Sequence, residues 1–115
     1  SLEFEFEFGA HELDERNWVV DFGGLKDLES WLRSNFDHKT LVASDDPKLS
    51  EFQLLKENGI IDLVVVESTG VEMFAKMAME YSSKLIEENY GNRCWVESVT
   101  VREHGANSAK CKREI

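Results

Sequence analysis

Leu2 to Phe8 alternates without a break, with Phe4, Phe6 and Phe8 on one side and Glu3, Glu5 and Glu7 on the other. A period of two with aromatics on one face predicts a strand buried on one side, its glutamate row in solvent. A polar pore or a subunit interface is the sharper use of such a row. Trp18 to Phe22 is a brief apolar run closed by Gly23-Gly24, which predicts a short extended segment and a turn. Leu25, Leu28, Trp31, Leu32 and Phe36 then recur at helical spacing opposite Lys26, Asp27, Glu29 and Arg33. This pattern predicts an amphipathic helix from about Leu25 to Asn35. Ser44-Asp45-Asp46-Pro47 reads as an acidic cap with proline in the first turn of a second helix. Leu49, Phe52 and Leu55, with Leu54 beside them, form its buried side, and Asn58-Gly59 stops it. Ile60 to Val66 is a β-branched run and predicts a buried strand. Ser68-Thr69-Gly70 precedes a further helix with Glu72 in its first turn, and Phe74, Met77, Ala78, Tyr81 and Leu85 share one face to about Asn89. Met73, Met77 and Met79 at this spacing read as core filler before they read as a cofactor pocket. Gly91-Asn92 turns the chain into a last strand, Cys94 to Glu103. Val99, Val101 and Glu103 fall on one face, Thr100, Arg102 and His104 on the other.

The order strand, short strand, helix, helix, strand, helix, strand defines an α+β layer, with helices grouped between antiparallel strands. A chain of 115 residues is one domain, 1–115, and 42% hydrophobic residues suffice for its core. The net charge of −10 makes an acidic surface that repels phosphate backbones, so no nucleic-acid partner is expected. A phosphate-bearing small molecule would need a local basic pocket, for which Lys39, Lys110, Lys112 and Arg113 are the sources. No apolar run approaches the roughly 20 residues of a membrane helix, so no membrane partner is expected. Glu3, Glu5 and Glu7 contradict a basic, then apolar leader. Cys94 and Cys111 lie outside any Cys-x-x-Cys pattern and read as reduced thiols, which makes a cytoplasmic location the expectation.

The histidines are His11, His38 and His104, and none forms a His-x-His or His-x-x-x-His pair. Spacing alone therefore indicates no metal site, since catalytic zinc takes about three protein ligands. Asp37-His38 is more suggestive, because a carboxylate beside an imidazole makes a proton relay. Adjacent residues on extended chain point apart, so the pair works together only where the backbone turns; otherwise Asp37 caps a turn and His38 is surface. Glu103, at the end of an apolar strand face, needs a partner there. Adjacent ring N–H and amino donors, as pterins and guanine-like rings present them, would satisfy it in bidentate fashion, and so would an arginine, Arg102 or another subunit's Arg93.

Several strings recur in order: Phe6-Glu7-Phe8-Gly9-Ala10-His11, Val19-Val20-Asp21-Phe22-Gly23, Phe36-Asp37-His38, Asp45-Asp46-Pro47, Gly70-x-Glu72-x-Phe74-Ala75 and Glu103-His104-Gly105-Ala106-Asn107-Ser108-Ala109. Together they resemble the 6-pyruvoyl-tetrahydropterin synthase and 6-carboxytetrahydropterin synthase family. The resemblance implies the tunnelling fold (T-fold), a four-stranded antiparallel sheet with two helices on one face. It implies homo-oligomeric barrels, commonly hexamers built from trimers, with active sites between subunits. It matches His11 to the first zinc ligand, Asp37 and His38 to the catalytic proton relay, and Glu103 to the pterin-anchoring glutamate. Glu72 matches the glutamate that opens the later helix, in a substrate-binding position.

One part of the family pattern is missing. A catalytic Cys and a His-x-His pair are expected after His11, but the chain passes from Leu13 through Asp14-Glu15-Arg16-Asn17 directly to Trp18. The zinc-ligand strand is thus absent between about 13 and 18. A segment lying outside this sequence, an internal deletion that has lost catalysis, and a zinc site completed by another subunit each account for it. A lost strand would leave an open sheet edge. The resemblance implies a zinc-dependent lyase acting on 7,8-dihydroneopterin triphosphate, in the 6-carboxy-5,6,7,8-tetrahydropterin branch that leads to queuosine and other 7-deazaguanines. Its alternatives are the 6-pyruvoyl-tetrahydropterin branch, and a non-catalytic pterin-binding or structural protein of the same fold.

Overall fold

The computed structural model describes residues 2–105 and 107–114, with Phe22 described by its backbone alone. The elements run β1 (Leu2–Ala10), α1 (Phe22–Phe36), β2 (Thr40–Ala43), α2 (Leu49–Glu57), β3 (Leu63–Val66), α3 (Val71–Tyr90), β4 (Cys94–Glu103) and β5 (Ser108–Lys112). An antiparallel sheet has the order β1-β4-β5, and β2 and β3 pair in parallel as a separate ribbon. The class is α+β, as the hydrophobic pattern predicts.

The core lies between this sheet and α3. Phe4, Phe6 and Phe8 sit across from Val101, Val99 and Val96, so one face is apolar throughout. That phase needs a correction within β4, because inward residues are even-numbered at Cys94 and Val96 but odd-numbered at Val99 and Val101. The register steps from Glu7↔Ser98 to Phe8↔Val96, leaving Glu97 as the extra residue of a β-bulge. Beyond the bulge Val99 and Val101 are fully buried, at 0% exposure. Ala75, Ala78 and Ser82 let α3 approach closely, and the buried Ser82 hydroxyl donates to the Ala78 carbonyl at 2.6 Å. Aromatic rings join α1 to the rest: Phe36 meets Phe4 at 4.8 Å and Phe74 at 5.2 Å, and Trp31 stacks on Tyr81 at 4.5 Å. The expected methionine filler is half-buried, with Met77 and Met79 packed against this core.

Several boundaries differ from the sequence reading. The stretch before α1 is a loop, not an extended segment, and the helix starts at Phe22 because the Asp21 side chain caps it by accepting from the Gly24 N–H at 3.1 Å. Gly23 and Gly24 lie inside the first turn. Pro47 precedes α2, and Asp46 closes a turn there by accepting from the Lys48 N–H at 2.8 Å. No described residue of α2 is buried, since the helix packs mainly on the short β2-β3 ribbon, and Leu54 is exposed. The third strand is confined to Leu63–Val66, with Ile60 66% exposed. β2 and β5 are additional strands of four and five residues, too short to show a period. The main sheet has three strands among the described residues, against the four that the family resemblance implies.

Candidate functional site

Two grooves lie at opposite ends of β1. At its C-terminal end the chain leaves Ala10 into His11, whose N–H donates to the Arg93 carbonyl at 3.0 Å. The His11 ring meets Trp95 edge-on at 4.8 Å. Trp95 lies across Gly9 so closely that a Cβ there would stand 2.6 Å from its indole nitrogen. The indole N–H donates to Glu97 at 2.7 Å, and the Arg113 guanidinium lies over the ring at 4.3 Å. Arg93 holds the following loop through the carbonyls of Glu12 at 3.1 Å and Val19 at 2.9 Å. A groove of about 950 Å³ opens here between α3 and the ends of β4 and β5.

Lys76, Lys112 and Arg113 supply cations to this groove, offset by Glu80, Glu87 and Glu114. Of the basic residues singled out in the sequence, Lys39 instead pairs with Asp62, and Lys110 stands outside the groove. Cys94 and Cys111 line it as free thiols. Burial pushes both thiols above their ordinary range, and Glu114 and Glu80 add to this at Cys111. Neither is placed to act as a ready thiolate.

The other groove, about 490 Å³, lies where α1 ends beside the start of β1, with Leu2, Phe4, Leu32 and Phe36 in its lining. Asp37 ends α1, its N–H donating to the Arg33 carbonyl at 3.2 Å. His38 then takes φ +55°, a left-handed turn of the backbone. That turn is what lets adjacent side chains meet, with His38 Nε2 3.6 Å from Asp37 Oδ1. Both are solvent-facing, with side chains 94% and 60% exposed, at the rim of this groove. Glu103 stands at the same end, because its register partner is Leu2. Its N–H donates to the Asn107 carbonyl at 2.8 Å, and its carboxylate accepts from the Asn107 amide at 3.2 Å. Arg102 turns instead to Glu3 at 3.1 Å and Glu5 at 3.2 Å, and Arg93 is engaged with its loop, so neither pairs with Glu103 within the chain.

The structure thus brings Asp37, His38 and Glu103 to one end of the sheet and His11 to the other, separated by the nine residues of β1, roughly 30 Å. Glu72 is exposed in the first turn of α3 and lines neither groove. Among the described residues no three His, Cys, Asp or Glu side chains converge as metal ligands. His11 faces an indole, and the donor set of one chain does not fit zinc. Trp95 was not singled out by sequence reasoning, whereas Lys112 and Arg113 were, as sources of a basic pocket. Gly9 was the available signal, since glycine inside a strand marks a close approach.

The chain belongs to the 6-pyruvoyl tetrahydropterin synthase family, whose profile matches residues 1–114. Two similar proteins are named 6-carboxy-5,6,7,8-tetrahydropterin synthase. The one from Rickettsia conorii is 35% identical over 48 residues and the one from Rickettsia bellii 38% identical over 48. Each match covers 41% of this chain and spans 35%, about a third, of the relative's length. The crystal structure of an uncharacterized protein from Wolinella succinogenes shares the fold. Its TM-score is 0.81 at 19% identity, over 98% of this chain and 77% of that one. Among the described residues no helix is long and apolar enough to cross a membrane.

Proposed function

We propose that the chain is a 6-carboxy-5,6,7,8-tetrahydropterin synthase-like lyase that takes 7,8-dihydroneopterin triphosphate, an early substrate of queuosine and other 7-deazaguanine routes. The observation that carries this reading is the left-handed turn at His38, which sets an imidazole and a carboxylate together at the rim of a groove, with Glu103 at the same end of the sheet. In this reading Asp37 and His38 move protons on the substrate side chain. Glu103 accepts the ring N–H and amino donors of the pterin.

The distance between the two ends supports a shared site in a homo-oligomer, hexameric by family likeness. His11, with Lys112 and Arg113 as an anion-holding end, would face a neighbour's Asp37, His38 and Glu103. Small-molecule pterins are its partners, in the cytoplasm, without nucleic acid or membrane. Zinc carries no step here, because His11 alone is short of the roughly three donors a catalytic site takes. That shortfall favours a second reading, a pterin-binding protein of the same family without turnover.

Calorimetric titration with 7,8-dihydroneopterin triphosphate, followed by product analysis with zinc added, separates the two. The lyase reading expects 6-carboxytetrahydropterin, acetaldehyde and released inorganic triphosphate, lost in His38→Ala, with binding weakened about tenfold in Glu103→Gln. Binding without product in the unmodified chain moves the conclusion to the second reading. Absence of binding rejects both.

A further inference from the structure

Among the described residues with a left-handed backbone, His38 is the one that is neither glycine nor asparagine, at φ +55°. That conformation crowds a Cβ, so it persists only where neighbouring structure imposes it. Before the turn the constraint is α1, whose Arg33 carbonyl takes the Asp37 N–H at 3.2 Å. After the turn two contacts go to one residue. The Asp62 carbonyl accepts from the Thr40 N–H at 2.8 Å, and the Asp62 carboxylate pairs with the Lys39 ammonium. Asp62 precedes β3, whose first residue, Leu63, is the register partner of Thr40. The ribbon behind it is anchored, since Val42, Leu63 and Val66 are buried and Leu41 and Val64 pack on the main core. The Lys39 side chain is only 20% exposed, so packing holds its stem and the ammonium does not sweep the solvent as a surface lysine does.

We infer that Asp62 is a positioning residue for the Asp37-His38 pair, and that the β2-β3 ribbon is the frame that carries it. Its two contacts fix consecutive residues, Lys39 and Thr40, directly after the turn. With α1 holding Asp37, His38 is left to bridge two tied ends. Without the carboxylate Lys39 is released, and His38 relaxes to extended backbone, in which adjacent side chains point apart. The 3.6 Å approach of His38 to Asp37 is then lost. An ion pair of modest strength suffices, because it selects the backbone conformation of one exposed residue and does not carry the fold. Asp62 lines neither groove, so it acts through the backbone. Its effect on turnover rests on the relay reading of Asp37 and His38 above.

The test reads the backbone first. The amide and α protons of one residue come closest when φ is positive, so their nuclear Overhauser cross-peak is strong at His38 and at Asn17, where φ is +62°. In Asp62→Ala, and separately in Lys39→Met, the His38 cross-peak should be lost while the Asn17 cross-peak stays. A His38 cross-peak that survives in either variant overturns the proposal. So does its loss together with the Asn17 cross-peak in both, since the pair would then hold the fold and not the turn. Steady-state turnover of 7,8-dihydroneopterin triphosphate reads the consequence. Asp62→Ala should lower kcat about tenfold or more with KM kept within about twofold, because the relay is misplaced while Glu103 is untouched. An unchanged kcat, or a KM raised as far as kcat falls, overturns the positioning role. An unmodified chain without turnover defeats the lyase reading instead, and the two cross-peaks still decide what Asp62 does.

Discussion

Replacing Gly9 by alanine tests why β1 carries a glycine between Phe8 and Ala10. The backbone there is not left-handed, so alanine is allowed, and by restricting the unfolded chain it should stabilise by about 0.5–1 kcal/mol. Against this, the new Cβ would stand 2.6 Å from the Trp95 indole nitrogen and 2.8 Å from its neighbouring ring carbon. The indole has to lift. Lifting it breaks the exposed hydrogen bond to the Glu97 carboxylate, about 1.5 kcal/mol for a charged acceptor. It also loosens the Arg113 contact over the ring, about 0.5–1 kcal/mol. The losses win by about 1.5 kcal/mol, which lowers the melting temperature of a chain this size by roughly 6 °C. Circular dichroism melts of Gly9→Ala, Trp95→Val and the double variant read this out. In the Trp95→Val background the obstacle is gone, and Gly9→Ala should be neutral or stabilising. A Gly9→Ala protein that melts at or above the unmodified chain refutes the reasoning. So does an equal drop in both backgrounds, since the glycine would then serve something other than Trp95.

A second close approach is at Gly24, where a Cβ would stand 2.7 Å from the Tyr90 hydroxyl and 3.3 Å from a ring carbon, so Gly24→Ala should lower the melting temperature in the native background and lower it less in Tyr90→Phe. The Tyr90 hydroxyl donates to Asp21 at 2.6 Å; burial, then the carboxylate, pushes Tyr90 up to about 12 from its ordinary 10. The unfolded tyrosine ionises first, so this contribution is full below pH 10 and is lost as pH rises to about 12. Urea midpoints across that window should fall, less steeply in Tyr90→Phe. Donation from Tyr90, and then from the Gly24 N–H, holds Asp21 below its ordinary 3.8. Its contribution is therefore present above pH 3.8 and lost below, a loss that Asp21→Asn should remove from acid titrations. Val99→Ala deletes two methyl groups from a fully buried site and should cost about 2 kcal/mol in urea unfolding. An effect under about 0.5 kcal/mol would mean that the β1-β4 face is not the core.

Residues whose role follows from local pattern were legible in the sequence. The Phe/Glu alternation placed β1, and the helical stripe of Phe74 and Ala78 placed the buried face of α3, because each repeats for several turns or pleats. Asp37-His38 was visible as a pair, and the backbone turn that brings the two side chains within 3.6 Å is the φ of +55° at His38. The bulge at Glu97 was not visible, because an extra residue in one strand is defined only by its partner's register. β2 was missed because four residues carry too little pattern, and α1 began early because Asp21 acts as its cap.

By itself the sequence determined the α+β class, the inward face of β1 and the residues able to do chemistry, since periodicity and residue type act over a few neighbours. The tertiary structure decided which of those residues stand together: Asp37 and His38 line one groove, and Glu103 lies at the same end of the sheet, outside that lining. Asp37 and Glu103, 66 positions apart in sequence, stand at one end of the sheet because antiparallel pairing sets Leu2 beside Glu103 and α1 ends near Leu2. His11, which follows the same strand, is carried to the other end.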